Sequence, residues 1–193
     1  MRLPLGGYSP DTLLSAPKHE PLELTLRSSG QKLQLAKAPG ESVEHLVLKG
    51  LLWALLLQTH PSACFCEKDL GLRYRPDVVA FDEGNQISWW GECGSVKASK
   101  LNDLMEAFPN ARISVAKWGR SDLRGYASNL RSELNVPADG RAVPFELISF
   151  PADSIDSFIA ADGELTVAFN DLQVVPLIED EPPPRRGPRA RLS

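Results

Sequence analysis

The chain opens its regular part with "LELTLRSSGQKLQLAKAPG", in which apolar and polar residues alternate twice around a Ser-Ser-Gly break. Period-two alternation interrupted by turn residues predicts two strands, 22–27 and 31–37, joined as a hairpin that Pro39 and Gly40 close. The pattern then changes. In "ESVEHLVLKGLLWALLLQ" Leu46, Leu48, Leu51, Leu52, Leu55 and Leu56 recur at helical spacing, over a length no single strand reaches. Ser42 stands where an N-cap belongs, and Glu41 and Glu44 suit the positive end of the helix dipole. Because the helix is apolar almost all round from Leu46 to Leu57, it is expected to be buried on more than one side.

"RPDVVAFDEGNQISWWGECG", residues 75–94, reads as two more strands around the turn "EGNQ". Beyond it "VKASKLNDLMEAF" predicts a helix with Leu101, Leu104, Met105 and Phe108 on one face. "ARISVAKW" predicts a strand, "SDLRGYASNLRSEL" a helix with a Ser-Asp start, and "AVPFELISF" a strand. A short helix in "DSIDSFI" and a final strand in "ELTVAF" complete the series. The middle of the chain thus runs β-β-α-β-α-β. That order predicts an α/β (α+β) domain with a mixed β-sheet flanked by helices and an N-terminal β-hairpin. Residues 1–19, punctuated by Pro, Gly and Ser, form a lead-in; 20–178 make one domain; 179–193 are a Pro/Arg-rich tail expected to be disordered.

Composition narrows the setting. With 193 residues, 42 % of them apolar, the chain is long enough for one real core. It has no run of roughly 18 apolar residues, as a membrane span requires, and no signal-peptide pattern, so a cytoplasmic protein without membrane association is expected. Three cysteines, Cys64, Cys66 and Cys93, argue against a disulfide framework. With His60 they raise a zinc reading, weakened by Cys-x-Cys spacing with no second pair. A net charge of −4 does not advertise nucleic-acid binding, although four arginines in the tail could seek phosphate.

The candidate chemistry lies at the two ends of the 75–94 hairpin. With 83–86 as the turn, antiparallel pairing sets Asp82 against Ile87, Val79 against Trp90 and Asp77 against Glu92. Val79, Phe81, Ser88 and Trp90 then share a buried face. Directly opposed residues have Cβ atoms ~5 Å apart, so two facing carboxylates repel unless a cation sits between them. A hard divalent ion answers this, as does a lysine. Glu44, in the first turn of the long helix, is a third candidate acid or else a capping acid. The helix after Glu92 carries two lysines. Lys97 projects about 40° from Leu101 on a helical wheel, and Lys100 lies on the flank of the apolar face.

With these residues in place, the chain resembles the PD-(D/E)xK nuclease superfamily and, within it, the YaeQ family. "RPDVVAF" is similar to the PD strand and "SWWGECG" to the second acidic strand, ending Glu-x-Gly rather than Glu-x-Lys. "ESVEHLVLKGLLWAL" is similar to the first core helix, and "VKASKL" and "AKWG" to the helix and strand that follow. The resemblance spans roughly residues 20 to 172. It implies a restriction-endonuclease-like fold and Mg²⁺- or Mn²⁺-dependent phosphodiester hydrolysis on nucleic acid. Asp77 and Glu92 would bind the metal, with the Cys93 carbonyl as a further ligand and Glu44 as the helix acid. Lys100 or Lys97 would replace the motif lysine, since its position is Gly94. Arg120 and Arg124 would meet phosphate, and Trp89 and Trp90 would stack on bases or pack in the sheet. A silent nuclease fold serving as a binding or regulatory module is the alternative. No protein partner is implied.

Overall fold

A computed structural model describes residues 21–61, 64–136 and 141–178. The expected hairpin is present as β1 (Glu23–Ser28) and β2 (Gln31–Ala36), paired antiparallel around Ser29 and Gly30. Leu24 and Leu26 on its inner face pack on the long helix α1 (Val43–Leu57). Ser42 is the N-cap, its hydroxyl accepting the His45 amide. A hydroxyl there satisfies one of the amides left unpaired at a helix start.

The main sheet has six strands in the order β3 (Cys64–Cys66), β4 (Val78–Phe81), β5 (Ile87–Cys93), β6 (Arg112–Trp118), β7 (Phe145–Phe150) and β8 (Gln173–Ile178). The β5–β6 and β6–β7 pairs are parallel and the others antiparallel, so the sheet is mixed as expected. The helices α2 (Ala98–Ala107) and α3 (Leu123–Arg131) make the crossovers between the parallel strands. Leucines of α1 pack with Val78, Ala80, Trp89, Ala116 and Ile148 on one face. On the other, Trp90, Ile113, Val115, Phe145 and Leu147 pack with α2 and α3. Two half-apolar layers on a central sheet bury both its faces, which is why its strands read as nearly continuous apolar runs.

Two expectations need correction, and two strands had not been expected. "ELTVAF" is not the final strand: Glu164 and Leu165 make only isolated bridges, to Arg27 and Ile159. The last strand is β8, disguised by Pro176, which is tolerated because β8 has a neighbour on one side only. The three-residue β3 is too short to leave a pattern. Finally, the register of β4 and β5 holds as expected for Val79 with Trp90 but slips beyond it. Phe81, not Asp82, faces Ile87, because an irregularity at Ala80/Phe81 leaves Ser88 unmatched. The short helix expected near 153–159 is present as α4 (Ser154–Phe158). The lead-in 1–19 and the tail 179–193, with its arginines, lie outside the described residues, among which no helix is long and apolar enough to cross a membrane.

Candidate functional site

The β4–β5 ladder ends in regular form at Val78 opposite Gly91. Asp77 is the next residue, and its amide donates to the Gly91 carbonyl at 3.1 Å. Two successive residues, Asp77 and Val78, therefore meet the same residue of β5. This crowding, of the kind a bulge produces, re-aims the Asp77 side chain. The expected ladder pair of Asp77 with Glu92 does not form. Asp77 Oδ2 instead accepts the Cys93 amide at 2.7 Å and lies 3.5 Å from His45 Nε2 on α1. Burial works to raise the Asp77 pKa, but His45 and the Cys93 amide outweigh it and hold the carboxyl below its ordinary value.

Glu92 is turned towards the other layer. Its carboxylate accepts the Trp90 indole N–H at 2.7 Å through Oε1 and the Lys100 ammonium at 2.6 Å through Oε2. The side chain is only 6 % exposed. Burial pushes its pKa above the usual carboxylate value, Lys100 and Trp90 pull the other way, and the charge on Asp77 adds to the push. The two acids thus feel each other, but each has its own cation: His45 for Asp77 and Lys100 for Glu92. This answers the repulsion expected from their proximity.

The other expected residues divide. Lys97 does not reach the acids. It is the exposed N-cap of α2, with extended backbone (φ −73°, ψ 141°), so the helical wheel that placed it on the apolar face does not apply to it. Glu44 does not join Asp77 and Glu92 either. A step of about 100° separates it from His45, and it is His45, with Lys49 a turn further on and Glu41 just before the N-cap, that meets the hairpin end. Glu44 points into a neighbouring cleft. Cys93 meets Asp77 through its amide. Among the described residues no three His, Cys, Asp or Glu side chains are grouped to hold a metal ion. His60 bonds Thr59 and Ser88, and the Cys64 and Cys66 thiols donate to carbonyls of α1. Trp89 and Trp90 are both buried, and Trp89 donates to Ser114, which donates to Glu146.

Three side chains of the site escaped the sequence pattern. His45 Nδ1 lies 2.6 Å from Glu41 Oε1, so the imidazole bridges two carboxylates, and its pKa is raised chiefly by the Asp77 hydrogen bond against the effect of burial. Lys49 is buried in the middle of α1, 2.5 Å from Glu41 and 2.6 Å from Glu67. The i, i+4 spacing of 41, 45 and 49 was the signal, hidden by the surrounding leucines. Lys117, near the end of β6, donates to the Gly94 carbonyl and, at 2.9 Å, to the Tyr126 hydroxyl. It lines a cleft of about 280 Å³ with Glu44, His45, Gly94, Arg120 and Tyr126. Arg120 lies over the Tyr126 ring, 4.3 Å from its centre, and Arg124 is exposed.

No protein-family model matches the chain, and no curated protein matches it. Among solved structures, the chain is similar to the YaeQ protein from Xanthomonas axonopodis pv. citri, at 15 % identity and a TM-score of 0.46, over 81 % of this chain and 89 % of that one. It is also similar to the YaeQ protein from Pseudomonas syringae, at 17 % identity and a TM-score of 0.47, over 70 % and 73 % of the two chains.

Proposed function

We propose that the protein is a metal-dependent phosphodiesterase of the PD-(D/E)xK type acting on nucleic acid in the cytoplasm. The observation that carries this reading is the contact of Lys100 with Glu92 at 2.6 Å, at the end of the hairpin where Asp77 also lies. Two acids and a lysine are the side chains such chemistry needs, and the lysine comes from the next helix instead of the strand. The donor set suits Mg²⁺ or Mn²⁺. Carboxylate oxygens are hard donors, and Mg²⁺ commonly takes only one or two protein acids and fills its octahedron with water. Asp77, by the oxygen not taken by His45 and the Cys93 amide, and Glu92, once Lys100 has left it, would hold the ion. When bound, it would make a coordinated water easier to deprotonate and would polarise a phosphate. The chain's own groups do the rest. Lys100 moves from Glu92 to the developing negative charge, His45 fixes Asp77, and the Trp90 indole keeps Glu92 in place.

A second reading, a binding module on the same fold, is favoured by one feature: both acids are already neutralised from within. The two separate by calorimetry with Mg²⁺ and Mn²⁺ on wild type and Asp77→Ala, and by hydrolysis of plasmid, single-stranded DNA and RNA. The enzyme reading expects metal heat in wild type only. It also expects cleavage that falls at least about a hundredfold in Glu92→Gln and Lys100→Ala. No metal heat and no cleavage would leave the binding module.

A further inference from the structure

Lys117 is a buried cation with no carboxylate partner among the described residues. It is 6 % exposed. It takes no part in the ion pairs that hold buried Lys49 (with Glu41 and Glu67), Glu92 (with Lys100) and Glu146 (with Arg112). Two neutral acceptors, the Gly94 carbonyl and the Tyr126 hydroxyl, take two of its three N–H donors. A buried charge left without a counter-charge is costly, and the third donor together with the uncompensated charge calls for an anion. The surroundings agree. The cleft beside it has Arg120 and His45 in its wall and lies where the parallel strands β5 and β6 end, a place where α/β sheets take ligands. Glu44 is the one acid in its lining, and it is half-exposed.

The position of Lys117 has a backbone cause. Gly94 stands two residues after Glu92 with φ at +75°, a conformation in which a lysine would be strained. The strand β6 runs on past Cys93, which faces Ala116, so Lys117 comes alongside Gly94 and brings an ammonium to a place where residue 94 itself has no side chain.

We propose that this cleft is an oxyanion site in which Lys117 and Arg120 bind a phosphate group. As an anion site it stands by itself; as the seat of a substrate phosphate it rests on the phosphodiesterase reading. The test uses the full chain in buffer containing EDTA and no phosphate. Inorganic phosphate, and separately a short single-stranded oligonucleotide, are titrated while backbone amide NMR signals are followed. Wild type is expected to show saturable phosphate shifts at Gly94, Ser95 and residues 117–120. Lys117→Met and Arg120→Ala should each weaken binding about tenfold or more, the loss of a charge-assisted hydrogen bond. Lys97→Ala should bind as wild type does, and Glu44→Gln more tightly. Arg120 is exposed, so its variant carries the test if Lys117→Met does not fold. Oligonucleotide binding lost in the same variants assigns the site to a nucleic-acid backbone. Loss confined to inorganic phosphate assigns it to small phosphates. Absence of saturable phosphate binding in wild type, or wild-type affinity in both variants, overturns the proposal. Glu92→Gln should keep phosphate binding in this metal-free buffer, and in the separate assay with Mg²⁺ it should lose hydrolysis. Failure of the enzyme reading and failure of this site are therefore distinct results.

Discussion

Replacing Lys49 by methionine tests whether the buried stripe of α1 holds the site together. The ammonium joins Glu41, 6 % exposed, to Glu67, 34 % exposed. Burial alone would lower the Lys49 pKa, but the two carboxylates more than reverse this. Methionine keeps most of the stem and its packing, so little cavity is created. The expected loss is therefore electrostatic. Removing one partner of a buried pair costs about 3–5 kcal/mol because the other charge stays behind. Glu67 is near enough to water to contribute little. Glu41 keeps the Ala38 amide and His45 as partners, which sets the expected loss at the lower end, about 3 kcal/mol. For a chain of this length that is a fall in Tm of roughly 6–12 °C.

The loss should also depend on pH. Burial pushes the Glu41 pKa up, but Lys49, the Ala38 amide and His45 outweigh it, leaving the pKa below 4.5 in the folded state. A depressed carboxyl pKa stabilises the fold above the unfolded value and loses that contribution as pH falls through the folded one. In Lys49→Met the Glu41 pKa climbs back, so the variant's deficit should be full at neutral pH and shrink below about pH 4.5. Urea unfolding at several pH values, on wild type, Lys49→Met, Glu41→Gln and the double variant, measures both effects. The double variant should be more stable than the sum of the single losses implies, by about 1–2 kcal/mol. A deficit under about 1 kcal/mol, or one unchanged by pH with additive single losses, refutes the reasoning.

Gly163→Ala should destabilise the chain by about 2 kcal/mol or more, since φ is +87° and a Cβ there would stand 2.4 Å from the Thr25 carbonyl oxygen; hydrogen exchange should show β1 and β2 amides losing protection first. The thiols should resist alkylation in the native protein, because burial pushes Cys64 up to about 12 and Cys66 and Cys93 well above their ordinary value; mass spectrometry should find them modified quickly only after urea is added. The His45 imidazolium, with its pKa raised above 6.5 by Asp77, stabilises the fold fully below that pH and loses the contribution as pH rises through the higher folded value. Thermal melts from pH 6 to 9 should show this decline in wild type and not in His45→Gln.

The sequence was legible where a side chain's surroundings follow from its own element. The hairpin, the Ser42 cap and the alternation of helices with the inner strands are all set by local spacing and burial. So was the pairing of Val78 to Ala80 with Trp89 to Gly91, since one face of each strand packs on α1 and the other on α2 and α3. What periodicity does not encode is a departure from the ideal element. The Ala80/Phe81 irregularity and the crowding at Asp77 each shift a side chain without altering the apolar pattern, and the second one decides the site. It turns Asp77 away from Glu92 to His45. Lys97 failed for a similar reason, because a wheel assumes helical backbone and the helix begins one residue later. Lys100 lies inside the helix, and there the same geometry correctly allowed contact with Glu92. Lys49 and Lys117 were overlooked for a further reason: a buried lysine in an apolar run looks like an interruption until its partners are known, and for each at least one partner, Glu67 for Lys49 and Gly94 for Lys117, comes from another element. The cations missed are therefore those whose positions are fixed by tertiary structure. They determine whether this hairpin end is an isolated pair of acids or a site with charge of both signs.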